Sequence, residues 1–357
     1  MLAPGSGHDC LVSASLPDPD WYLDHVVVPA GPDRSPVGPV RAWQAQWAAR
    51  ARELASRGDD LLDLAAGQGF VLTRSQARAH GVSDAEVRRL LRNGTWTSPR
   101  FGVVAIIPDA RGVGPAVAAT AAVLVRPEHV ISHRSAAVLH GLPLLRLPMI
   151  PEVTAVVPST LGRRFGVAVR SAALCADELS AWYGAPVTTA ARTVMDVARG
   201  ERRAGLVAAD AALHERLVTP DDLACVSRRT TGWPGARAAR EIVALASALA
   251  ESPLESLVRL SVLDAGLPAP QLQVRVDDPA DGWWCRVDML WPEPRVVLEA
   301  DGKIKYSGVE LWREKRRQLR LERLGYRVVR AIWSDVVHDP RGLIEHLRTY
   351  MRAQLPR

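Results

Sequence analysis

The chain alternates between segments whose apolar residues recur every three or four positions and shorter segments in which apolar and polar residues alternate. The first pattern predicts helices and the second predicts strands. Short helices come first, a region of helices and strands follows, and three strands stand close together between residues 271 and 301. The pattern therefore predicts a multidomain protein of mixed α/β and α+β class.

The same pattern divides the chain into four parts. Residues 1–58 are rich in Pro, Gly, Ser and Asp, and we expect a loose extension there, with one possible helix over 41–57. Residues 59–112 predict short helices and a hairpin. Residues 113–250 predict an α+β middle domain, and residues 251–357 predict a mixed sheet flanked by helices.

Two short helices with similar start signals lie between residues 73 and 94. Thr73 is followed three residues later by Gln76, and Ser83 by Glu86, which is the spacing of a capping box at a helix start. Each helix is predicted to end just before a glycine. The segment TWTSPRFGVVAI then predicts a two-stranded wing, so the arrangement is that of a winged helix-turn-helix.

The second helix and the wing carry arginines that we expect to contact DNA. Arg88, Arg89 and Arg92 lie on the helix that would enter the major groove, and Arg100 lies on the wing, where it would meet a phosphate. The alternative is a helical hairpin with a solvated arginine face. Further along, His133 and His140 flank a predicted helix, and we expect structural roles because no third metal-binding residue has a matching spacing.

A predicted hairpin near the end of the chain brings acidic side chains together. The strands WWCRVDMLW and RVVLEADG are joined by a turn at residues 292–294. Folding about this turn places Asp288 opposite Leu298 or Glu299, and alternation along the second strand puts Glu299 and Asp301 on one face. On the first strand, alternation places Val287 and Met289 together, on the face opposite Asp288.

Carboxylates that crowd in this way repel one another, and a divalent cation with oxygen ligands removes the repulsion. We expect Asp288 and Glu299 to hold Mg²⁺ or Mn²⁺, with a further oxygen from Glu255 on the preceding helix and assistance from Asp301. Such a cation orients a phosphodiester and generates hydroxide. Lys303 would stabilise charge that develops on the phosphate. The alternative is a hairpin with exposed acids.

The segment after the hairpin is strongly basic. Between residues 299 and 330 there are ten basic and five acidic residues, which gives a net charge of +5. The only lysines of the chain fall within 13 residues here, at Lys303, Lys305 and Lys315. Four arginines at three- and four-residue spacing share a predicted helix face and are expected to bind DNA: Arg313, Arg316, Arg320 and Arg323. A basic helix face beside a metal site suits a polyanion.

This C-terminal part resembles a known family. The resemblance rests on SPLESLVRLSVLDAGLPAPQLQ, RVDMLWPEPRVVLEADGKIKY and LWREKRRQLRLERLGYRVVR, and covers about residues 251–350. These motifs are similar to a C-terminal domain of unknown function in many actinobacterial proteins, which is related to the very-short-patch-repair (Vsr-like) endonucleases of the PD-(D/E)XK superfamily. The resemblance implies a Mg²⁺-dependent endonuclease fold, in which Asp288 is the first aspartate and Glu299 the acidic residue of the second strand. The usual Glu-x-Lys is Glu299-Ala-Asp301 here, and Lys303 has the same strand parity.

The N-terminal part resembles a second family. LTRSQARAHGVSDAEVRRLLRNGTWTSPRFGVVAI is similar to the winged helix of AbiEi-type antitoxins, which are transcriptional regulators of type IV toxin–antitoxin systems. SHRSAAVLHGLP and PVTTAARTVMDVA match the segment that follows it in such chains. This resemblance implies promoter binding and a partner nucleotidyltransferase toxin.

Composition narrows the function further. With 357 residues, 48% hydrophobic and 24% charged, the chain is an ordinary folded protein and not a disordered one. It has no apolar run long enough for a membrane span and no secretory signal. Its four cysteines are far apart, so we expect a cytoplasmic protein without disulfides or a zinc ribbon. The net charge of +6 points weakly to nucleic acid. Three hypotheses remain: a Mg²⁺-dependent DNA endonuclease, a non-catalytic regulator or antitoxin with a degenerate nuclease fold, and an enzyme that acts on RNA. None of them needs a small-molecule cofactor.

Overall fold

The computed structural model of the protein describes residues 59–106, 114–156, 162–164, 166–301 and 308–354. The extension predicted over 1–58, with its helix over 41–57, lies outside the described residues, as do Lys303 and Lys305. Helices and three sheets make up the described part, so the predicted mixed α/β class is confirmed. No helix within the described ranges is both long and apolar enough to cross a bilayer.

The first part of the fold is a small sheet with short helices against it. The strands lie in the order β1–β3–β2, and β2 and β3 form the predicted wing as an antiparallel pair. The elements are α1 (Asp60–Ala66), β1 (Val71–Thr73), α2 (Arg74–Ala79), α3 (Asp84–Arg92), β2 (Thr97–Arg100) and β3 (Val103–Ala105).

The two predicted helix starts are formed differently. At α2, the Gln76 amide N–H donates to the Thr73 hydroxyl while the Gln76 side-chain oxygen accepts the Thr73 N–H, so the capping box is complete. At α3, the Ser83 hydroxyl accepts the Glu86 N–H at 3.2 Å, but the Glu86 carboxylate binds Arg89. The second capping box was therefore predicted wrongly in its reciprocal half, because an ion pair one turn away captures the glutamate.

The middle part is a six-stranded mixed sheet covered by helices. The strand order is β6–β7–β5–β4–β9–β8, with parallel pairing where β5 meets β7 and where β4 meets β9. Its elements are α4 (Gly114–Val125), β4 (His129–Ile131), α5 (His133–Leu139), β5 (Glu152–Ala155), β6 (Gly162–Arg164), β7 (Val167–Ser171), β8 (Leu179–Trp182), β9 (Ala185–Thr188), α6 (Ala190–Gly200), α7 (Arg202–His214), α8 (Pro220–Arg229) and α9 (Ala236–Leu245).

The last part is a four-stranded sheet in the order β10–β11–β12–β13. The first three strands are antiparallel neighbours, and β13 returns parallel to β12 after a helix. The elements are α10 (Pro253–Asp264), β10 (Gln271–Asp277), β11 (Trp284–Trp291), β12 (Val296–Ala300), α11 (Gly308–Arg323), β13 (Arg327–Ala331), α12 (Trp333–Val337) and α13 (Pro340–Gln354).

A buried ion pair joins the middle part to the last part. The Arg259 guanidinium on α10 donates to both carboxylate oxygens of Asp210 on α7, at 2.9 and 2.8 Å, and also to the Leu245 carbonyl. Val207 of α7 packs into the same apolar cluster as Leu257 of α10. These contacts hold helix α10, which precedes the C-terminal sheet in the chain, against helix α7 of the middle part.

Candidate functional site

Asp288 and Glu299 lie side by side where strands β11 and β12 stop pairing. The last paired residues across this hairpin are Met289 and Leu298, and Asp288 and Glu299 are the next residue on each strand. There the Asp288 carboxylate accepts the Ala300 N–H at 2.8 Å, in place of a backbone carbonyl. The predicted register is therefore confirmed, and the side chain of Asp288 is turned toward the neighbouring strand.

The predicted alternation along β11 fails at Asp288. Val287 packs in a cluster with Val297, whereas Met289 packs in a different cluster with Leu298, so the two do not share a face. Gln273 is the cause, because it stands across from Asp288 on β10 and has a φ of 53°, in the left-handed region. Beyond this point the residues of both strands switch to the opposite face of the sheet, although neither strand has an extra residue, as it would in a β-bulge.

Glu255 reaches the same place from helix α10. Ser252 caps this helix by accepting the Glu255 N–H, and Pro253 occupies the first turn, which suits its missing N–H. The Glu255 carboxylate is buried and accepts the Glu251 N–H at 3.0 Å and the Gln273 side-chain N–H at 2.9 Å. Burial, followed by the charge of Asp288, raises the pKa of Glu255 to about 7.

Glu299 is the third member of this cluster. Its side chain is buried, and burial together with the Asp288 charge raises its pKa to about 7. Burial also raises the pKa of Asp288 itself. The Arg317 guanidinium on α11 donates to the Glu299 carboxylate at 3.1 Å and partly offsets the repulsion. We call Glu255, Asp288 and Glu299 the carboxylate cluster.

Oxygen donors make up this cluster, as a hard cation requires. Besides the three carboxylates, the Gln273 Oε1 atom is buried and has no hydrogen-bond partner in the described part of the chain. The bond from Gln273 Nε2 to Glu255 fixes which end of the amide is the oxygen. The donor chemistry therefore fits Mg²⁺ or Mn²⁺. Within the described ranges, however, no three His, Cys, Asp or Glu side chains are arranged around one point as a metal site requires.

Of the other two predicted members of the site, the structure describes only Asp301. Asp301 follows β12 and its carboxylate binds Arg330 of the neighbouring strand β13 at 3.0 Å. Arg330 also binds Glu314 of α11. Parallel pairing of β12 with β13 explains this, since it sets Arg330 beside Glu299 and within reach of Asp301. Lys303 lies outside the described residues.

The four arginines predicted on α11 line a single groove beside the cluster: Arg313, Arg316, Arg320 and Arg323. Arg320 is neutralised there by Asp278 and Asp281. Sequence reasoning missed Arg317, which lines the same groove and donates to Glu299. Its position four residues after Arg313 on the same helix face was the signal that could have found it.

The arginines of the winged-helix segment differ in their exposure and in whether an acidic side chain binds them. Arg88 and Arg92 are exposed on α3, one helical turn apart, while Val87 is buried beneath them. Arg89 is held by two hydrogen bonds to Glu86, at 2.9 and 2.5 Å. Arg100 lies half-buried on the wing. Of the four arginines predicted in this segment, Arg88, Arg92 and Arg100 have no such ion pair with any residue that the structure describes.

The histidines of the middle part have structural partners. The His140 Nε2 atom lies 2.6 Å from the Thr188 carbonyl, and the His133 Nδ1 atom lies 2.9 Å from the Ser132 hydroxyl. Burial lowers the pKa of both side chains, that of His133 to about 4. These contacts agree with the structural roles predicted for them.

Two family models match the first two parts of the chain. Residues 59–97 match the model described as "Transcriptional regulator, AbiEi antitoxin". Residues 121–245 match the model described as "AbiEi antitoxin C-terminal domain". The AbiEi-type resemblance predicted from the sequence is thereby supported, and both matches end before the carboxylate cluster.

Relatives are found in Mycobacterium tuberculosis. The proteins named "Uncharacterized protein MT2308", of strain CDC 1551 / Oshkosh, and "Uncharacterized protein Rv2248", of strain ATCC 25618 / H37Rv, are each 33% identical over 175 residues. The match covers 48% of this chain and 64% of theirs. The crystal structure of RV2827C protein from the same species is 19% identical, covers 71% of this chain and 93% of that chain, and has a TM-score of 0.35. The chain thus contains two regions, 59–97 and 121–245, that match models of AbiEi antitoxin domains.

Proposed function

We propose that the chain is a DNA-binding transcriptional regulator of AbiEi antitoxin type, which contacts duplex DNA through α3 and the wing. The observation that carries this proposal is that the AbiEi regulator match over 59–97 covers the helix-turn-helix, which the two wing strands follow directly. A recognition helix needs basic side chains that point away from its own core. Arg88 and Arg92 meet that need on α3.

The arginine pattern of α3 gives this proposal a sharp test. Arg88 and Arg92 are expected to contact DNA, whereas Arg89 is already neutralised by Glu86. We expect Arg88→Ala with Arg92→Ala to weaken binding to duplex DNA from the chain's own promoter region by tenfold or more, and Arg89→Ala to weaken it less. Arg237→Ala is the matched control, because that arginine is 89% exposed on α9, outside the winged helix.

Electrophoretic mobility shifts at several salt concentrations would measure this binding. The affinity of the wild type should fall steeply as salt rises, since phosphate contacts release counterions. The double variant should show a shallower dependence. Equal affinity and equal salt dependence in the wild type and the double variant would contradict the proposal.

A second candidate function is Mg²⁺-dependent hydrolysis of phosphodiester bonds at the carboxylate cluster. It is favoured by the position of Asp288 next to Glu299 across the hairpin, by the Asp288 charge that acts on both glutamates, and by the buried Gln273 oxygen, which has no hydrogen-bond partner in the described part of the chain. Asp288 and Glu299 would hold the cation and Glu255 would add an oxygen, and the bound cation would supply a nucleophilic hydroxide. A protein with a degenerate cluster would bind DNA without cutting it.

Plasmid nicking with Mg²⁺ or Mn²⁺ separates these outcomes. Under the second candidate, the wild type nicks supercoiled DNA and the variant Asp288→Ala with Glu299→Ala does not. Glu345→Gln, an exposed glutamate on α13, serves as the control and should keep full activity. Equal nicking by the wild type and the double variant excludes hydrolysis at this cluster.

The AbiEi matches also bear on a protein partner. A regulator of this type would be encoded beside a nucleotidyltransferase toxin, and we propose such a toxin as the partner of this chain. Co-expression tests this directly: the chain should restore growth to cells that express the neighbouring nucleotidyltransferase. A toxin whose growth arrest is unaffected by the chain would argue against the pairing.

A further inference from the structure

A groove of about 900 Å³ runs between helix α11 and the beginning of strand β11. Trp283 and Trp284 line its β11 side, and Trp312 lines its α11 side together with the guanidinium groups. The residues that matter for its chemistry are Trp283, Trp284, Trp312, Arg313, Arg316 and Arg323. None of these tryptophans belongs to the carboxylate cluster or to the winged helix.

The aromatic rings of the groove are unusually exposed. Trp312 is 58% exposed and Trp284 is 53% exposed, although tryptophan is normally among the more buried residues of a folded protein. Each ring has a guanidinium over it at 4.5 Å, Arg316 above Trp312 and Arg275 above Trp284. Exposed apolar surface that is rimmed by charge is typical of an interaction site.

The charges of the groove are only partly compensated. Arg320 is neutralised by Asp278 and Asp281, and Arg317 is held by Glu299 and Glu314. In contrast, Arg313, Arg316 and Arg323 are exposed and have no carboxylate within salt-bridge distance among the described residues. They share the groove face of α11 with Trp312, so the open side of the groove carries net positive charge.

We propose that this groove binds single-stranded nucleic acid. Unpaired bases would stack on Trp284 and Trp312, and the phosphates would contact the uncompensated arginines. Duplex DNA keeps its base faces stacked on one another, so a single strand is the form whose bases can stack against the exposed parts of these rings, beside arginines that have no carboxylate partner among the described residues. An acidic protein partner would form ion pairs with the arginines, but it would not supply planar bases to stack on the tryptophan rings.

This binding site is separate from the duplex contact proposed for α3 and the wing, and it requires no hydrolysis. Its inner wall is Arg317, which donates both to the Glu299 carboxylate and to the Arg286 carbonyl. A strand in the groove would therefore run next to the carboxylate cluster. Failure of hydrolysis would leave strand binding intact, and failure of strand binding would leave the regulator proposal intact.

Fluorescence anisotropy of the full chain with labelled oligothymidine or oligouridine tests the proposal. We expect Trp312→Ala and Trp284→Ala each to weaken binding about tenfold, the usual effect of removing one base-stacking ring. Trp312→Phe should keep most of the affinity because it keeps an aromatic face. Arg316→Gln should weaken binding and flatten its salt dependence, whereas Arg237→Gln, on α9, should change neither.

Separate readouts keep the site and the fold distinguishable. Arg88→Ala with Arg92→Ala should leave oligonucleotide binding unchanged, which separates the groove from the winged helix. The proposal is overturned if neither oligonucleotide binds, if both Trp→Ala variants bind as tightly as the wild type, or if a duplex competes equally for the groove. It is also overturned if the Trp→Ala variants lose oligomeric mass in light scattering, because the groove would then be a protein interface. A Trp312→Phe variant that folds but binds no better than Trp312→Ala counts against stacking.

Discussion

Replacing Glu255 by glutamine should stabilise the metal-free protein at neutral and higher pH, although the residue is buried and hydrogen-bonded. The Glu255 carboxyl has a pKa of about 7 in the folded chain, raised from 4.5 by burial and by Asp288. Its ionisation therefore opposes folding. Glutamine has a similar shape, keeps an oxygen for the Glu251 and Gln273 donors, and carries no charge at any pH.

The size and sign follow from proton linkage. Because the folded-state pKa is raised, the folded protein binds more protons than the unfolded chain between pH 4.5 and about 7. The contribution of Glu255 is fully present below pH 4.5 and is lost as the pH rises through 7. At about 1.4 kcal/mol per pH unit, the loss has an upper limit of about 3 kcal/mol. We expect about 1 to 3 kcal/mol, since Asp288 shares the repulsion.

Urea unfolding in EDTA at pH 5 and pH 8 measures this difference. Glu255→Gln should match the wild type at pH 5 and exceed its free energy of unfolding at pH 8. Glu345→Gln, whose side chain is 70% exposed, should show no such pH dependence. If Glu255→Gln lowers stability equally at both pH values, Glu255 acts only as a hydrogen-bond acceptor. Its ionisation then does not lower the free energy of unfolding, and the electrostatic explanation is wrong. If the cluster holds a cation, added Mg²⁺ should raise the stability of the wild type at pH 8 by more than that of Glu255→Gln, which keeps Asp288 and Glu299 but lacks the third negative charge.

Three further predictions concern stability and can be checked in the same unfolding assay. Arg259→Ala should lower the free energy of unfolding by about 3 to 5 kcal/mol, because it leaves the Asp210 carboxylate buried without its cation. Arg259→Ala with Asp210→Ala should lower it by less than the sum of the two single variants, and a strictly additive loss would contradict this. Gly184→Ala should destabilise strongly, because Gly184 has a φ of 76° and a Cβ would come 1.8 Å from the Gly67 carbonyl oxygen; a neutral effect would mean that this turn can move. His133→Gln should remove part of the loss of stability between pH 6.5 and 4. Because the pKa of His133 is lowered, the unfolded chain binds more protons than the folded protein in that window, so the free energy of unfolding falls with the pH by at most about 3 kcal/mol. An unchanged pH profile in the variant would refute this role of His133.

Local features of this protein were readable from the sequence because they depend on neighbours along the chain. The Thr73 capping box, the helix that carries Glu255 and the hairpin about residues 292–294 each follow from short-range hydrogen bonding and turn geometry. The turn at residues 292–294 limited the predicted partner of Asp288 to Leu298 or Glu299, and the pairing in the structure selects Glu299. Even here, an ion pair between Glu86 and Arg89 was enough to displace half of a predicted cap.

Long-range features required the fold. The face reversal at Asp288 depends on the left-handed backbone of Gln273, a residue fifteen positions earlier that carries no sequence signal for such a conformation. The pairing of Asp301 with Arg330 follows from the parallel placement of β13 beside β12, which no local pattern specifies. The roles of Arg317 and Trp312 likewise emerged only when α11 was set against the start of β11.

The sequence by itself thus determined the order of helices and strands, the excess of basic residues on one helix and the presence of acidic residues on two adjoining strands. The tertiary structure decided which carboxylates are buried together and which arginines remain uncompensated. The physical reason is that hydrogen-bonded caps and turns are formed between residues a few positions apart, whereas desolvation and Coulomb interactions depend on distance in space. Glu255 and Glu299 are 44 positions apart in the chain, yet the same Asp288 charge raises the pKa of both.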